Sequence, residues 1–237
     1  MKLEELQQMT VLASLARKAL LQVMLFLAAG AALALPEGFV FIDEAVPGIR
    51  QDIRYAGSNN FVGRPVIGYV VQRAVLTEQA AQALAAAQMD LQPFGLALLV
   101  FDAYRPQQAV DDFVAWSKDY GDTQTKATYY PRVPRASLFP EGYIAERSGH
   151  SRGSTIDLTI VSTSTPFKPL DMGTAFDFFG KESWPDYAGI SSQQRANRLL
   201  LRNLMIKHGF KPYAQEWWHF TLDSEPFPET YFNFVVQ

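Results

Sequence analysis

Residues 155–160 alternate strictly between polar and aliphatic side chains. Thr155, Asp157 and Thr159 occupy one set of positions, and isoleucine or leucine occupies the other. Because successive side chains of a strand point to opposite faces, this pattern predicts a half-buried β-strand whose aliphatic face packs on the core. Asp157 is therefore expected to point the other way, into a cleft that lies over the sheet.

Two helices and another strand are predicted between residues 77 and 120. Thr77 precedes a run of alanine, glutamine and leucine, so we expect it to cap a helix that reaches about Met89. Leu96–Phe101 is a continuous apolar run, typical of a strand buried on both faces. Pro106 suits the first position of a helix that continues to about Tyr120. The aperiodic stretch 120–143 is expected to cross the surface and form a wall of the cleft.

The chain is predicted to close with a helix and a strand. Ser191 or Ser192 is expected to cap the helix, and Gly209 to end it. Phe210–Leu222 is then interpreted as one strand. The helix residues available for the core are Leu199, Leu200, Leu201, Leu204 and Met205.

The first 34 residues are interpreted as a secretory signal peptide that precedes a single catalytic domain at residues 35–237. Arg17 and Lys18 precede an apolar run from Ala19 to Leu33, and a small-x-small pattern follows at 32–34. A periplasmic or secreted protein is therefore expected, with no stable membrane partner after cleavage. The alternative is an N-terminal membrane anchor, because the run falls just short of the ~20 residues of a spanning helix.

Composition narrows the chemistry. The net charge of −3 gives no indication of a nucleic-acid partner, which would call for a basic patch. The chain contains no cysteine, so any metal must be bound by histidine and carboxylate side chains.

Two of the three histidines, His150 and His219, each lie near a carboxylate in the sequence. The neighbours are Asp157 and Glu216. Two imidazoles and one carboxylate can hold zinc with a fourth position open for water, and a second carboxylate can act as a base. This combination is the apparatus of a hydrolase.

Glu216 and His219 are separated by a spacing that a regular strand would place on opposite faces. Both can reach one metal site only if the chain bulges or turns between them. We therefore expect an irregular strand near Trp217 and Trp218, with the indoles packed beneath the site.

The pattern S-x-H-x-x-G-x-x-x-D occupies residues 148–157, and the sequence E-W-W-H occupies 216–219. Together these motifs resemble those of the D-alanyl-D-alanine dipeptidase family, the VanX-type zinc enzymes. The resemblance extends in the same order over almost all of the chain from about Phe39 onward. The further matching segments are Phe39–Glu44, Val46–Arg50, Arg54–Ala56, Asn60–Gly63, Asp102–Pro106 and Met172–Phe178.

The resemblance implies an α+β fold, with a small, mainly antiparallel sheet flanked by about three helices, as in the zinc D-Ala-D-Ala peptidases. It also implies one Zn²⁺ per chain and hydrolysis of the dipeptide D-Ala-D-Ala. The implied roles are His150, Asp157 and His219 as zinc ligands, Glu216 as general base, Arg105 as the group that stabilises the oxyanion, and Asp177 and Ser148 as substrate-binding residues.

Two other functions are considered beside the dipeptidase. A zinc D,D-carboxypeptidase or endopeptidase would act on longer cell-wall peptides, and a binding module would keep the metal site without chemistry. The binding module requires the loss of Glu216 or Arg105, and both are present. A dipeptidase must enclose a free ammonium group, and the resemblance implies that Asp177 provides a carboxylate for it. The sequence leaves two cellular roles open, recycling of cell-wall D-alanine and resistance to glycopeptide antibiotics. A secretory leader fits recycling better.

Overall fold

A computed structural model describes residues 35–237, and the predicted signal peptide at 1–34 lies outside these residues. No helix in the described part is long and apolar enough to cross a membrane. The strands are β1 (Phe39–Phe41), β2 (Arg50–Gln51), β3 (Val75–Thr77), β4 (Leu96–Asp102), β5 (Thr155–Ser162), β6 (Phe210–Tyr213) and β7 (Glu216–Leu222). The α-helices are α1 (Ile42–Ala45), α2 (Glu78–Leu91), α3 (Gln107–Ser117), α4 (Lys126–Tyr129) and α5 (Ser192–Lys207).

The main sheet has five strands in the order β2-β4-β5-β7-β6. Its only parallel pair is β2 with β4, and the other three pairs are antiparallel. Strands β1 and β3 form a separate antiparallel pair. The three long helices of the described residues are α2, α3 and α5. Together with the mainly antiparallel sheet, they confirm the predicted α+β fold.

The starts of α2 and α5 follow the predicted capping residues, whereas Pro106 precedes α3 instead of occupying its first position. The side chain of Thr77 accepts a hydrogen bond from the backbone of Ala80 at the start of α2. Ser191 caps α5 in a reciprocal pair with Gln194, and Gly209 follows the helix with a φ of 83°. Helix α3 ends at Ser117, before the predicted Tyr120.

Two helix residues assigned to the core are in fact exposed. Leu199 and Leu200 are 39% and 42% exposed, whereas Leu201, Leu204 and Met205 are buried. Consecutive leucines spread over more than half of a helix circumference, so one helix cannot bury all three against one sheet.

The segment Phe210–Leu222 is a hairpin rather than one strand. Tyr213 pairs with Glu216, so residues 214 and 215 form a two-residue turn between β6 and β7. The pair Ala214-Gln215 contains none of the glycine or asparagine residues that usually mark such a turn, which explains why the sequence pattern missed it.

Strand β5 is more buried than its alternation predicts. The polar residues Thr155, Asp157 and Thr159 are at most 2% exposed, like the aliphatic residues between them. Later segments cover the sheet: Phe176 stacks on Phe101 of β4 with ring centroids 4.7 Å apart. The polar face of β5 therefore lies inside the protein.

The stretch 120–143 is also more buried than the predicted surface crossing. Tyr129, Tyr130, Val133 and Leu138 are buried in the core, because α4 and the turns around it fold back onto the domain. At the end of this stretch, Gly142 and Tyr143 line a cavity, so the predicted wall of the cleft is present.

Residues 223–237 form a tail that packs across the loop carrying His150. The backbone of Phe232 donates a hydrogen bond to the carbonyl of Ser151 at 2.8 Å. Aromatic rings of the tail surround Phe39 of β1. These rings belong to Phe227, Phe232 and Phe234.

Candidate metal centre and active site

One cavity of about 220 Å³ lies over the end of the sheet. Every site residue predicted from the sequence lines it. These residues are Arg105, Ser148, His150, Asp157, Asp177, Glu216 and His219. The chain thus brings together seven side chains that the sequence distributes over more than a hundred positions.

Three neighbouring strands place Asp102, Asp157 and His219 in one row. Asp102 of β4 pairs with Asp157 of β5, and Asp157 pairs with His219 of β7. Paired residues of adjacent strands share a face of the sheet, so the three side chains point to the same side. A register shift between Val100 and Asp102 of β4 brings Asp102 into this row.

His150 reaches this row from a short 3₁₀ helix, Gly149–Arg152. The Ser148 side chain caps that helix by accepting a hydrogen bond from the His150 backbone at 3.3 Å. Gly153 ends it with a φ of 84°, and a side chain there would collide with the ring of Phe39. This sharp exit leads directly into β5 and fixes His150 above Asp157.

The bulge predicted between Glu216 and His219 is present in β7. Pro212 pairs with Phe220 while the adjacent Tyr213 pairs with Glu216, so β7 carries extra residues between these pairs. The bulge allows Glu216 and His219 to line the same cavity, and it leaves Trp217 and Trp218 buried.

The three predicted ligands form a compact cluster whose spacing suits zinc. His150 Nε2 lies 3.3 Å from His219 Nδ1 and 3.3 Å from Asp157 Oδ2. Asp157 Oδ1 lies 3.1 Å from His219 Nδ1. Ligand atoms at about 2.0–2.1 Å from a tetrahedral zinc are roughly 3.3 Å apart, which matches these separations.

The hydrogen bonds of the cluster also fit a metal. His150 Nδ1 donates to the carbonyl of Ala103 at 2.7 Å, and this bond leaves the lone pair of Nε2 directed at the cluster. Within residues 35–237, Asp157 Oδ1 is buried and makes no hydrogen bond of regular geometry, although His219 Nδ1 lies 3.1 Å away. An orphaned carboxylate oxygen in the interior is costly, and a cation would satisfy it.

Electrostatics keeps Asp157 ionised, as a ligand must be. Burial raises the pKa of Asp157, but the imidazoles of His150 and His219 outweigh burial and hold the pKa below its ordinary range. Burial lowers the pKa of His150, which favours the neutral ring that binds metals.

Glu216 stands beside this cluster, with Oε2 at 3.4 Å from His219 Nδ1. Burial raises the pKa of Glu216 to about 7, although His219 and Arg105 oppose that rise. A carboxylate whose pKa lies near neutrality can both accept and return a proton at physiological pH.

Arg105 is fixed by an aspartate that the sequence reasoning did not assign. Asp102 Oδ2 accepts from Arg105 Nε at 2.9 Å, and its Oδ1 accepts from the hydroxyl of Tyr69 at 2.6 Å. Arg105 Nη2 also lies 3.6 Å from Asp157 Oδ2. The motif Asp102–Pro106 contained the signal, because a carboxylate three residues before an arginine can orient it.

Asp177 forms the other polar end of the cavity. Its Oδ2 accepts a hydrogen bond of 2.9 Å from the hydroxyl of Tyr55, another residue that the sequence reasoning missed. Burial, reinforced by the charge of Asp157, raises the pKa of Asp177 well above its usual value. Burial thus disfavours the charged form of this carboxyl group, and a cation that enters the cavity would favour its ionisation.

The comparisons with known proteins decide the family. A model of the family described as D-ala-D-ala dipeptidase, Peptidase M15, matches residues 36–237. The chain belongs to this family of zinc metallopeptidases. A D-alanyl-D-alanine dipeptidase of Enterococcus faecalis is 46% identical over 84% of this chain and 98% of its own length. One from Streptomyces coelicolor is also 46% identical with the same coverage.

More distant similarities were also found. A D-alanyl-D-alanine dipeptidase of Escherichia coli is 32% identical over 76% of this chain and 83% of its own length. A solved structure of the vancomycin-resistance D,D-pentapeptidase VanY with Zn(II) is 18% identical and covers 64% of this chain and 74% of that one. Its TM-score is 0.33, too low to bear on the site.

Proposed function

We propose that this protein is a zinc-dependent dipeptidase that hydrolyses D-Ala-D-Ala to two D-alanine molecules. The observation that carries the proposal is one small cavity with a metal-ligand triad and an enclosed carboxyl group, Asp177. Family relatives named D-alanyl-D-alanine dipeptidase support the substrate.

One zinc per chain is proposed, bound by His150, Asp157 and His219. Zinc at such a site lowers the pKa of a bound water and polarises the scissile carbonyl. The ligand spacing and the orphaned oxygen of Asp157 support this assignment.

Glu216 takes the proton of the attacking water and returns it to the leaving amine. Its position beside His219 and its raised pKa support this role. Arg105 donates to the oxygen that becomes negative in the tetrahedral state, and Asp102 holds the guanidinium in place for it.

Asp177 and Tyr55 receive the ammonium group of the dipeptide. The arriving cation stabilises the ionised form of Asp177 and thereby offsets the burial that raises its pKa. Ser148 is proposed to add a hydrogen bond to the substrate, because it lines the same cavity. A buried receptor for a free ammonium favours the dipeptidase over an enzyme for longer peptides, whose amino side is acylated.

One assay tests the proposal. Purified protein with zinc is offered D-Ala-D-Ala, L-Ala-L-Ala, N-acetyl-D-Ala-D-Ala and a cell-wall pentapeptide. We expect rapid release of D-alanine from the free D,D-dipeptide alone. If the acetylated dipeptide or the pentapeptide is cleaved at a comparable rate, the protein is a D,D-carboxypeptidase and the dipeptidase proposal is wrong.

Export to the periplasm or the medium is proposed as well, on the basis of the apolar run at residues 19–33 and its basic flank. Fractionation of cells that express the full chain provides the test. A processed protein in the soluble exported fraction is expected, whereas an unprocessed protein in the membrane fraction would indicate an anchor.

A further inference from the structure

The loop that carries Asp177 spans residues 172–184 and is called here the Asp177 loop. Asp177 has a φ of 61°, a left-handed conformation that is unfavourable for residues other than glycine. Such a conformation persists only where the surroundings hold it in place. Hydrogen bonds within the loop supply part of this support, and residues outside it supply the rest.

Arg198 supplies the most extensive of these contacts. It lies on α5 and is 3% exposed. Its Nε donates to the carbonyl of Met172 at 2.6 Å, Nη2 to that of Glu182 at 2.7 Å, and Nη1 to that of Trp184 at 2.7 Å. One guanidinium thus hydrogen-bonds to both ends of the loop, and Asp177 lies midway in sequence between Met172 and Glu182.

The partners of Arg198 are unusual for a buried arginine. Within residues 35–237, no carboxylate lies within ion-pair distance of its guanidinium, and each of its hydrogen bonds goes to a backbone carbonyl of the loop. Burial lowers the pKa of Arg198 to about 10, so the group remains charged at neutral pH. A buried charge is costly unless its donors are hydrogen-bonded. Here the three carbonyls of the loop accept hydrogen bonds from the guanidinium, and the same bonds hold the loop in place.

Other hydrogen bonds connect the Asp177 loop to β7, the strand that carries Glu216 and His219. The hydroxyl of Ser183 donates to the carbonyl of Phe178, the residue after Asp177, at 2.6 Å. It also lies 3.1 Å from the hydroxyl of Thr174, which accepts from Trp217 Nε1 at 2.8 Å. The loop is thereby tied to β7 next to Glu216.

We propose that Arg198 is a positioning residue for the ammonium-binding pocket, acting through the backbone of the Asp177 loop. This inference rests on the proposed function, in which Asp177 binds the ammonium group of the dipeptide. Arg198 is not among the residues that line the cavity, and its hydrogen bonds go to none of the proposed metal ligands. Its loss should therefore affect recognition of the free amine while the metal centre stays intact.

The test compares Arg198→Lys with Arg202→Lys. Arg202 lies one turn further along α5, is partly exposed and pairs with Asp186 at 3.0 Å, so it controls for the chemical change. A lysine has no fork that can reach three carbonyls. For Arg198→Lys we expect the ratio of kcat/KM between free and N-acetylated D-Ala-D-Ala to fall by about tenfold to a hundredfold, mainly through KM. Zinc content should be unchanged, and Arg202→Lys should keep the wild-type ratio.

A second measurement separates this inference from the proposed function. Hydrogen exchange of residues 172–184, followed by mass spectrometry, needs no substrate and should be faster in Arg198→Lys than in the control. An unchanged ratio with unchanged loop exchange would overturn the proposal, as would a lower melting temperature with an unchanged ratio. Loss of zinc in Arg198→Lys would also overturn it. If the wild-type protein fails to cleave D-Ala-D-Ala, the proposed function fails, and the exchange experiment alone decides whether Arg198 holds the Asp177 loop in place.

Discussion

The proposed metal-ligand triad (His150, Asp157 and His219) and the Asp177 pocket share one cavity but are held in place by different means. Asp157 and His219 are cross-strand partners, so the hydrogen-bond ladder of the sheet sets their separation. Asp177 lies on a loop with left-handed backbone geometry, held by Tyr55 and by contacts from α5.

The difference shows where rigidity comes from in this fold. For Asp157 and His219, the ladder fixes the side-chain positions through many backbone bonds that no single side-chain change removes, whereas His150 is placed by the short 3₁₀ helix before β5. The pocket depends on a few side chains, each of which can be altered alone. Changes at the metal side should therefore act through the identity of the ligand, and changes at the pocket should act through selectivity and KM.

The largest expected effect comes from His150→Ala, which removes one of the proposed ligands. Zinc content measured by elemental analysis should fall to background, and activity should be lost with it. His208→Ala is the matched control, because His208 pairs with Asp90 on α2 instead. A His150→Ala protein that still holds one zinc per chain would refute the ligand assignment.

Glu216→Gln should retain zinc and lose about two to four decades in kcat, the usual contribution of a positioned acid–base group or more. The amide keeps the shape of the side chain but cannot take the proton of water. Glu141→Gln, an exposed change, should leave kcat unaltered. Near-normal turnover by a zinc-loaded Glu216→Gln protein would exclude the role of base.

Asp177→Asn sharpens the comparison, because it should spare zinc binding and damage recognition of the amine. The preference for free over N-acetylated D-Ala-D-Ala should shrink by about a decade or more, since hydrogen bonds to charged groups contribute roughly 1.5–3 kcal/mol. Steady-state kinetics on both substrates provide the measurement, with Asp186→Asn as control. An unaltered preference would place the ammonium group elsewhere.

The smallest expected effect is that of Tyr55→Phe, which deletes one hydrogen bond to Asp177. The same preference should fall by about threefold to tenfold, because the net contribution of one typical hydrogen bond is roughly 0.5–1.5 kcal/mol. Tyr104→Phe also removes one buried hydroxyl, but that hydroxyl bonds to the carbonyl of Phe234 in the tail. If both variants changed the preference equally, the Tyr55 hydroxyl would have no special link to the pocket.

The sequence was most informative where the geometry is local. Alternation around Asp157 predicted its strand, and the spacing of Glu216 and His219 predicted the bulge that lets both reach the cavity. Serine and glycine signals located α5. These inferences succeed because they depend on neighbours along the chain.

The sequence was least informative where partners are distant along the chain. Tyr55 and Asp177 are 122 positions apart, and Tyr69 and Asp102 are 33 apart, so no local pattern reveals either hydrogen bond. The exposure of Leu199 and Leu200 likewise depends on which face of α5 meets the sheet. Such features require the packed structure, because tertiary contacts determine them.

The tail that crosses the His150 loop has a consequence for biosynthesis. His219 follows His150 by 69 positions, and Phe232, which bonds the carbonyl of Ser151, comes later still. During translation, His150 therefore leaves the ribosome long before β7, which carries His219, and before the tail that packs on the His150 loop. We expect a nascent chain stalled before Glu216 to be unable to capture zinc, so that metal loading follows translation of β7 rather than accompanying that of β5.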